Sequence, residues 1–369
     1  MGRPRGAPGR AAGCTANRGA FLGPPPACKL MTMPTPLHAA LRTVATGQPL
    51  TADQAAAAFR VIMRGEASPA LIAGLLLGLR ARGETSDEIA GAATALREAM
   101  IPLDAGAGAP LVDTCGTGGG GVSTFNVSTA AAFVTAAAGA RVPKHGNRSY
   151  TSRCGSADVL EALGIDITLD PDRAARRLNQ AGMVFLFAPN YHPAMRHVGP
   201  TRKELGVATI MNLLGPLANP ASVGRQVIGV ADPHRAPLLA QALLRLGADH
   251  ALVVHGEVGM DEISPAGATA VWEVRGGRIA TWTIDPAEYE LDWEDTAPLA
   301  GGDPAANAAR IEALFAGADD EAARRAVVLN AGAALYVSGL VADYGTAVRR
   351  AAEVLAAGGA REVLEAVRR

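Results

Sequence analysis

The chain has 369 residues, 49% of them apolar and 19% charged, and a formal net charge of −1. That composition supplies a packed core for one large and one smaller domain, and it excludes a largely disordered chain. The near-neutral balance excludes the broad basic footprint of a nucleic-acid binder, so the positive groups that meet any anionic ligand must be few and local.

The N-terminal 33 residues are rich in Gly, Pro, Ala and Arg, and no acidic residue precedes Asp53. They contain no continuous apolar stretch, which argues against a secretory signal. Abundant proline and the lack of Ser fit a clean amphipathic transit peptide poorly. The reading adopted is a disordered extension over 1–33, with Met31 and Met33 as alternative starts. Cys14, Cys28, Cys115 and Cys154 form no CxxC pair and are read as reduced thiols of a cytoplasmic protein. The longest apolar runs, such as Ala331 to Leu340, are too short to span a bilayer, so no membrane partner is expected.

From Pro36 to about Leu103 the pattern is helical. Thr51 with Gln54 and Thr85 with Glu88 read as capping boxes, and Ser68-Pro69 as an N-cap followed by proline at the first helical position. A Gly/Ala/Pro linker, Ala105 to Pro110, ends this region. A strand at Leu111-Val112 then leads through a glycine loop to a helix from about Val127 to Ala138. Strands follow at Arg141 to Lys144, Ile165 to Thr168 and Val184 to Phe187, with helices at Ser156 to Leu163 and after Asp170-Pro171. The alternation resumes with Val227 to Val230, a helix through Leu246, and Ala251 to Val254; Arg275-Gly-Gly-Arg278 reads as a hairpin turn. The last 65 or so residues are helical. The fold class is therefore α/β: a small all-helical domain at 34–105, joined by about 192–218, and a larger domain at 106–191 and 219–369 with a mainly parallel central sheet.

Four segments carry candidate chemistry. Asp113-Thr-Cys-Gly-Thr-Gly-Gly-Gly-Gly121 lies between a strand and a helix, where glycines bring several N–H groups to one anion and the helix adds its positive end. It lacks the Lys-Ser/Thr ending of a P-loop and the spacing of a dinucleotide fingerprint. Asn126-Val-Ser-Thr129 opens the next helix; helix capping and phosphate or metal binding both fit these side chains. Lys144-His-Gly-Asn-Arg148 follows a strand end, where open α/β sheets place their ligands. Gly259-Met-Asp-Glu262 follows another, and adjacent carboxylates suit a hard cation that bridges to phosphates, although an exposed acidic turn gives the same pattern. A further segment, Tyr191-His-Pro-Ala-Met-Arg196 through Arg202 to Asn212-Leu-Leu-Gly-Pro-Leu217, interrupts the alternation and offers His192 and Arg202 as donors to a small acid.

Taken together, GTGGGG, NVST, KHGNRS with GSADVLEALG, HPAM…TRKELG, NLLGPLANP and GMDEISP resemble the anthranilate phosphoribosyltransferases, in order and in approximate spacing, from about Pro36 to the C-terminus. The resemblance implies a helical and an α/β domain with the active site in the cleft between them. It also implies a homodimer through the helical domain and possible association with anthranilate synthase. The implied activity is transfer of a 5-phosphoribosyl group from phosphoribosyl pyrophosphate to anthranilate with Mg2+, the second step of tryptophan biosynthesis from chorismate, with no residue acting as a classical acid or base.

By position, the resemblance implies that Gly116, Thr117, Gly118, Gly119, Thr124, Asn126, Ser128, Thr129 and Lys144 bind the donor, and that Ser128, Asp261 and Glu262 hold the metal. It implies that Arg202 pairs with the anthranilate carboxylate, while Gly116, His145, Asn147, His192 and Pro216 line the path of the aromatic acid and Arg148 supports the loop. Four departures stand out: Gly120 where the family usually has Asp, Ala208 and Met211 where it has Arg and Phe, and Tyr150 where a small residue is usual. The rival readings are a pyrimidine nucleoside phosphorylase, which would carry a Ser-Gly-Arg type segment in place of KHGNR, and a non-catalytic nucleic-acid-binding paralogue, which would have a basic groove.

Overall fold

The computed structural model describes residues 2, 35–149 and 153–369. Apart from residue 2, the expected extension over 1–33, with Cys14 and Cys28, lies outside the described residues, as does the departure at Tyr150. Four helices come first: α1 (Pro36–Ala45), α2 (Ala52–Met63), α3 (Pro69–Arg82) and α4 (Ser86–Glu98). Both capping boxes form, and Ser68 accepts the Leu71 N–H with Pro69 at the first position of α3. Each such cap stabilises its helix by about 1 kcal/mol.

The α/β part follows as β1 (Asp113–Gly116), α5 (Val127–Ala137), β2 (Val142–Gly146), α6 (Ser156–Ala162), α7 (Pro171–Ala181) and β3 (Met183–Phe187). Three short helices, α8 (Ala188–Tyr191), α9 (Gly199–Leu205) and α10 (Met211–Leu214), precede β4 (Arg225–Gly229), α11 (Ala236–Arg245), β5 (His250–Gly256) and the hairpin β6 (Thr269–Arg275) and β7 (Arg278–Ile284). The chain closes with α12 (Pro304–Phe315), α13 (Glu321–Ser338), α14 (Tyr344–Ala356) and α15 (Gly359–Arg368).

The main sheet has the order β1-β4-β5-β6-β7, parallel across its first three strands and antiparallel in the hairpin. A parallel β2-β3 pair joins it through the Leu111–Arg141 bridge. Successive β5 residues alternate between faces: Leu252 and Val254 pack with α5 and α13, whereas Ala251 and Val253 pack with α11 and the helical region. A sheet covered on both faces reads as a continuous apolar run, and such runs are what the sequence shows here. Ala194, Val198, Ile210, Leu213, Leu214 and Leu217 share one apolar cluster with Leu37, Phe59, Leu75 and Leu96 of the first four helices.

Two expected strands need correction. The first strand is Asp113–Gly116, with Leu111 making only an isolated bridge, because the parallel register with β4 begins at Asp113. Residues 165–168 form no strand. Ile165 and Ile167 are buried with alternating burial, but Asp166 closes a local turn by accepting the Thr168 N–H at 2.9 Å, and no described strand partners the segment. Alternation arose here from burial of an extended segment, without a ladder.

Candidate active site

Strand β1 ends at Gly116 and the chain turns at once. Gly118 and Gly119 have φ of 67° and 82°, a region that side-chain-bearing residues avoid. Thr117 N–H donates to Gly229 O at the end of β4 (2.9 Å), which fixes the base of the turn beside the next parallel strand. Past β5 the chain makes a tight return, with Gly256 N–H donating to Met260 O (2.9 Å), and presents Asp261 and Glu262 to the glycine turn. Gly118 N–H donates to Asp261 Oδ2 at 3.1 Å, and the Thr124 hydroxyl lies 2.9 and 3.0 Å from the two carboxylate oxygens of Glu262. Three strand ends thus bring the glycine turn and the acidic pair together, as open parallel sheets do with their ligand sites.

The approach is close. A Cβ at Gly116 would sit 3.0 Å from Asp261 Oδ2, one at Gly120 would sit 3.3 Å from Asp261 Oδ1, and one at Gly229 would overlap Asp261 O. The departure at Gly120 therefore falls on the acidic pair itself: any side chain there would stand over Asp261.

The electrostatics follow from burial. Desolvation holds the Asp261 carboxyl above its usual range and, with the Asp261 charge beside it, pushes Glu262 up to about 8, against the opposing pull of Thr124 and Lys144. Lys144 is buried, and desolvation lowers its pKa while Asp113, Cys115 and Glu262 hold it up. Its ammonium donates to Thr114 O and stands 3.4 Å from Thr114 Oγ1. Asp113 is fully buried, pushed up by desolvation and held by Asn219 Nδ2 (2.8 Å) and the His145 N–H (3.3 Å). The acidic pair is thus short of positive charge, a balance that suits a cation with oxygen ligands.

Asn126 does not cap α5 with its side chain. It adopts φ 69° and ψ 47°, and its amide spans Cys154 O (3.2 Å) and Asn307 Nδ2 (2.9 Å). Ser128 lies in the first turn of α5, its carbonyl accepting from Thr114 Oγ1 at 3.0 Å, and the Thr129 hydroxyl is buried with no hydrogen-bond partner among the described residues.

A second group lies beside β2. The rings of His145 and His192 lie 5.0 Å apart between centroids and tilted by 54°, and His145 Nδ1 lies 3.3 Å from Gly215 O. Both are buried, which depresses His145 to about 3 and His192 to about 4, so both are neutral imidazoles near pH 7. His145 Nε2 is buried without a hydrogen-bond partner among the described residues, and the buried His192 ring lies against the Ala218 backbone. Pro216 follows directly and its carbonyl accepts from Gln226 Nε2 (2.8 Å). Asn147 Oδ1 accepts the Arg148 N–H (2.8 Å), and Arg148 in turn forks onto Glu161 and Asp158 and lies over the Phe187 ring. Arg202 stands half-buried on α9, among the segments that pack on the helical region. Of the remaining departures, Ala208 is exposed and Met211 is buried in the helical cluster.

The structure therefore joins Gly116, Gly118, Thr124, Asp261 and Glu262 in one contact group, and His145, His192 and the 215–216 turn in another. The two are linked through Asp113, which β1 presents to the backbone of His145. Sequence reasoning missed Asn219, Asn307 and Asn330. Asn330 clamps Ile263, next to the acidic pair, by accepting its N–H (3.0 Å) and donating to its carbonyl (2.8 Å). A lone Asn in an apolar helix gave no local signal; a buried polar residue signals itself only once burial is known.

Residues 108–361 match the glycosyl transferase family a/b domain and residues 38–100 its helical bundle domain. Among curated relatives, the anthranilate phosphoribosyltransferase of Roseiflexus sp. (strain RS-1) is 47% identical over 331 residues, covering 89% of this chain and 96% of its own. That of Rubrobacter xylanophilus is 48% identical over 329 residues, covering 89% and 96%. The Thermus thermophilus anthranilate phosphoribosyltransferase superposes with a TM-score of 0.84 at 45% identity, over 88% of this chain and 97% of that one. The Saccharomyces cerevisiae anthranilate phosphoribosyltransferase in complex with PRPP and Mg superposes with a TM-score of 0.81 at 28% identity, over 90% and 96%. A sheet, a glycine turn and an acidic pair arranged in this way, in a chain this similar to those proteins over nearly their whole length, leave one conclusion: the chain belongs to the anthranilate phosphoribosyltransferase family of glycosyl transferases.

Proposed function

We propose that this chain transfers the 5-phosphoribosyl group of phosphoribosyl pyrophosphate to the amine of anthranilate, releasing N-(5-phosphoribosyl)anthranilate and pyrophosphate. The observation that carries the site assignment is the meeting of the glycine turn with two half-buried, charge-starved carboxyl groups at the ends of β1, β4 and β5. We assign the donor's pyrophosphate and phosphate to Gly116, Thr117, Gly118, Gly119, Thr124, Asn126, Ser128, Thr129 and Lys144, because a glycine loop running into a helix start is the kind of element that binds a polyanion. Asp261 and Glu262, with Ser128, would hold Mg2+. The acidic pair fits: two neighbouring carboxyl groups supply hard oxygen ligands and leave the remaining positions to the donor's phosphates. Bound there, the ion supplies charge neutralisation for the leaving pyrophosphate.

The aromatic amine is weakly basic and already neutral, so the reaction needs little base catalysis. The nitrogen lone pair forms the bond to C1, the C1–O bond breaks with its electrons going to pyrophosphate, and the amine then loses a proton. The chain's task is positioning and electrostatic stabilisation of the leaving group. We assign the acceptor to Arg202, which would pair with the carboxylate, and to Gly116, His145, Asn147, His192 and Pro216. Both histidines being neutral, the pairing with the acid's charge is assigned to Arg202. Purified protein mixed with anthranilate, phosphoribosyl pyrophosphate and magnesium should consume the anthranilate fluorescence; unchanged fluorescence sinks the reading.

We extend the reading to organisation and place. A helical domain at 34–105 joined by 192–218 and an α/β domain over the remainder accord with the shared apolar cluster. A homodimer through the helical domain is supported by α3, whose sequence is apolar on nearly every side and leaves Leu77 41% exposed. Leu77→Glu should shift the sedimenting species to a monomer; an unchanged dimer rejects that face. The reduced thiols of Cys115 and Cys154 fit a reducing cytoplasm. Association with anthranilate synthase belongs to the same reading and is tested by co-elution. No described helix is long and apolar enough to cross a membrane.

A further inference from the structure

Asn126 is one of three non-glycine residues at positive φ among those described. It stands immediately before Val127, Ser128 and Thr129, the first turn of α5, and its conformation sets how those amides leave the loop. A non-glycine residue in this region is held against a cost of about 1–3 kcal/mol, so the surroundings must over-determine it. They do. Asn307, on the first turn of α12 and 2% exposed, donates from Nδ2 to Asn126 Oδ1 at 2.9 Å, while its own Oδ1 accepts the Gly302 N–H at 2.7 Å. The segment leading to Asn307 lies along the loop like an added strand. Phe125 N–H donates to Leu299 O (3.2 Å), Gly301 N–H donates to Ser123 O (3.1 Å), and Thr124 bridges Ala300. The approach is so close that a Cβ at Gly301 would overlap the Thr124 carbonyl. Thr124 in turn holds Glu262.

We infer that Asn307 is a positioning residue for the phosphoribosyl donor: through Asn126 it locks the left-handed turn that aims the start of α5 at the donor's phosphates. The inference rests on the assignment of that loop to the donor. A purely structural role would weaken both substrates alike. Asn307 acts on the donor loop; apart from Gly116, which both substrates share at the end of β1, the residues assigned to the aromatic acid lie at the end of β2, at His192, on α9 and in the 215–216 turn. Its influence passes through the backbone conformation of residue 126.

The test is a cycle of Asn307→Ala and Asn126→Gly, with steady-state constants for each substrate and calorimetric titration of donor with magnesium in the absence of anthranilate. Glycine takes the left-handed conformation without an anchor, so the two changes should be coupled. Asn307→Ala in the native background should raise KM and the dissociation constant for the donor by roughly tenfold, the size of one lost buried hydrogen bond. KM for anthranilate should stay within about twofold, the spread expected of a contact it does not share. In the Asn126→Gly background the same substitution should change donor binding by less than about twofold, the residue no longer having a conformation to hold. An equal loss of donor affinity in both backgrounds, or an equal rise in KM for both substrates, overturns the inference. A native protein that fails to bind the donor at all overturns the functional assignment instead.

Discussion

The hydroxyl of Thr124 lies between the two carboxylate oxygens of Glu262, at 2.9 and 3.0 Å, and so ties the end of the glycine segment to an acidic pair 138 positions away in sequence. Together with the Gly118–Asp261 hydrogen bond it makes the loop and the carboxylates one unit.

That unit is built at a cost in stability. Replacing Asp261 with Asn and Glu262 with Gln removes two half-buried carboxyl groups whose simultaneous ionisation is disfavoured. We predict that turnover falls at least about 100-fold, as for loss of a transition-state charge contact, while unfolding free energy rises by about 1 kcal/mol or more. Fluorescence assay and thermal melts check both halves; a variant that loses stability contradicts the electrostatic account.

Gly229 is where β4 passes under Asp261. Gly229→Ala would place a methyl group on the Asp261 carbonyl and force the acidic return away from the glycine turn. Overpacking of this kind costs about 1–3 kcal/mol, and activity should fall by more than about tenfold because a displacement near 1 Å suffices. Denaturant unfolding and kcat/KM measure the two effects; near-native values of both would mean the strand end yields freely.

The buried pair His145 and His192 predicts an acid-labile fold. Each has a pKa depressed below its unfolded value near 6.5, to about 3 and about 4. Protons then bind the unfolded chain first, so stability is full above about pH 6.5 and is lost as pH falls toward 4, by up to about 1.4 kcal/mol per pH unit for each histidine. The double variant His145→Gln with His192→Gln should flatten the pH dependence of the melting temperature in that window. An unchanged slope would show that neither ring is held neutral.

Arg202 is assigned to the anthranilate carboxylate. Arg202→Ala should raise KM for anthranilate by roughly 10- to 100-fold, the worth of a charge-assisted hydrogen bond, and leave KM for the donor within about twofold. Parallel titrations of both substrates decide it; equal effects on both would move Arg202 out of the acceptor site.

The local signals in this chain were strong. Capping boxes at Thr51 and Thr85, proline at the first position of α3, and apolar runs at β4 and β5 encode short-range hydrogen bonding and side-chain period, which depend only on near neighbours. Where extension was mistaken for pairing, as at Ile165 to Thr168, the period was right, but the ladder needs a partner strand that no local pattern supplies.

The order of the glycine turn, KHGNR and Asp261-Glu262 was likewise legible, because backbone approach to an anion demands glycine and a hard cation demands carboxylates. What only the tertiary structure decided is which polar groups burial leaves unsatisfied and which it fixes: that Lys144 turns to Thr114, that Asn126 is held by Asn307 across 181 positions, that Asn219 secures Asp113, and that Asn330 clamps Ile263. These contacts join residues remote in sequence. Their energy comes from desolvation, a property of the folded interior that the sequence of any one segment does not carry.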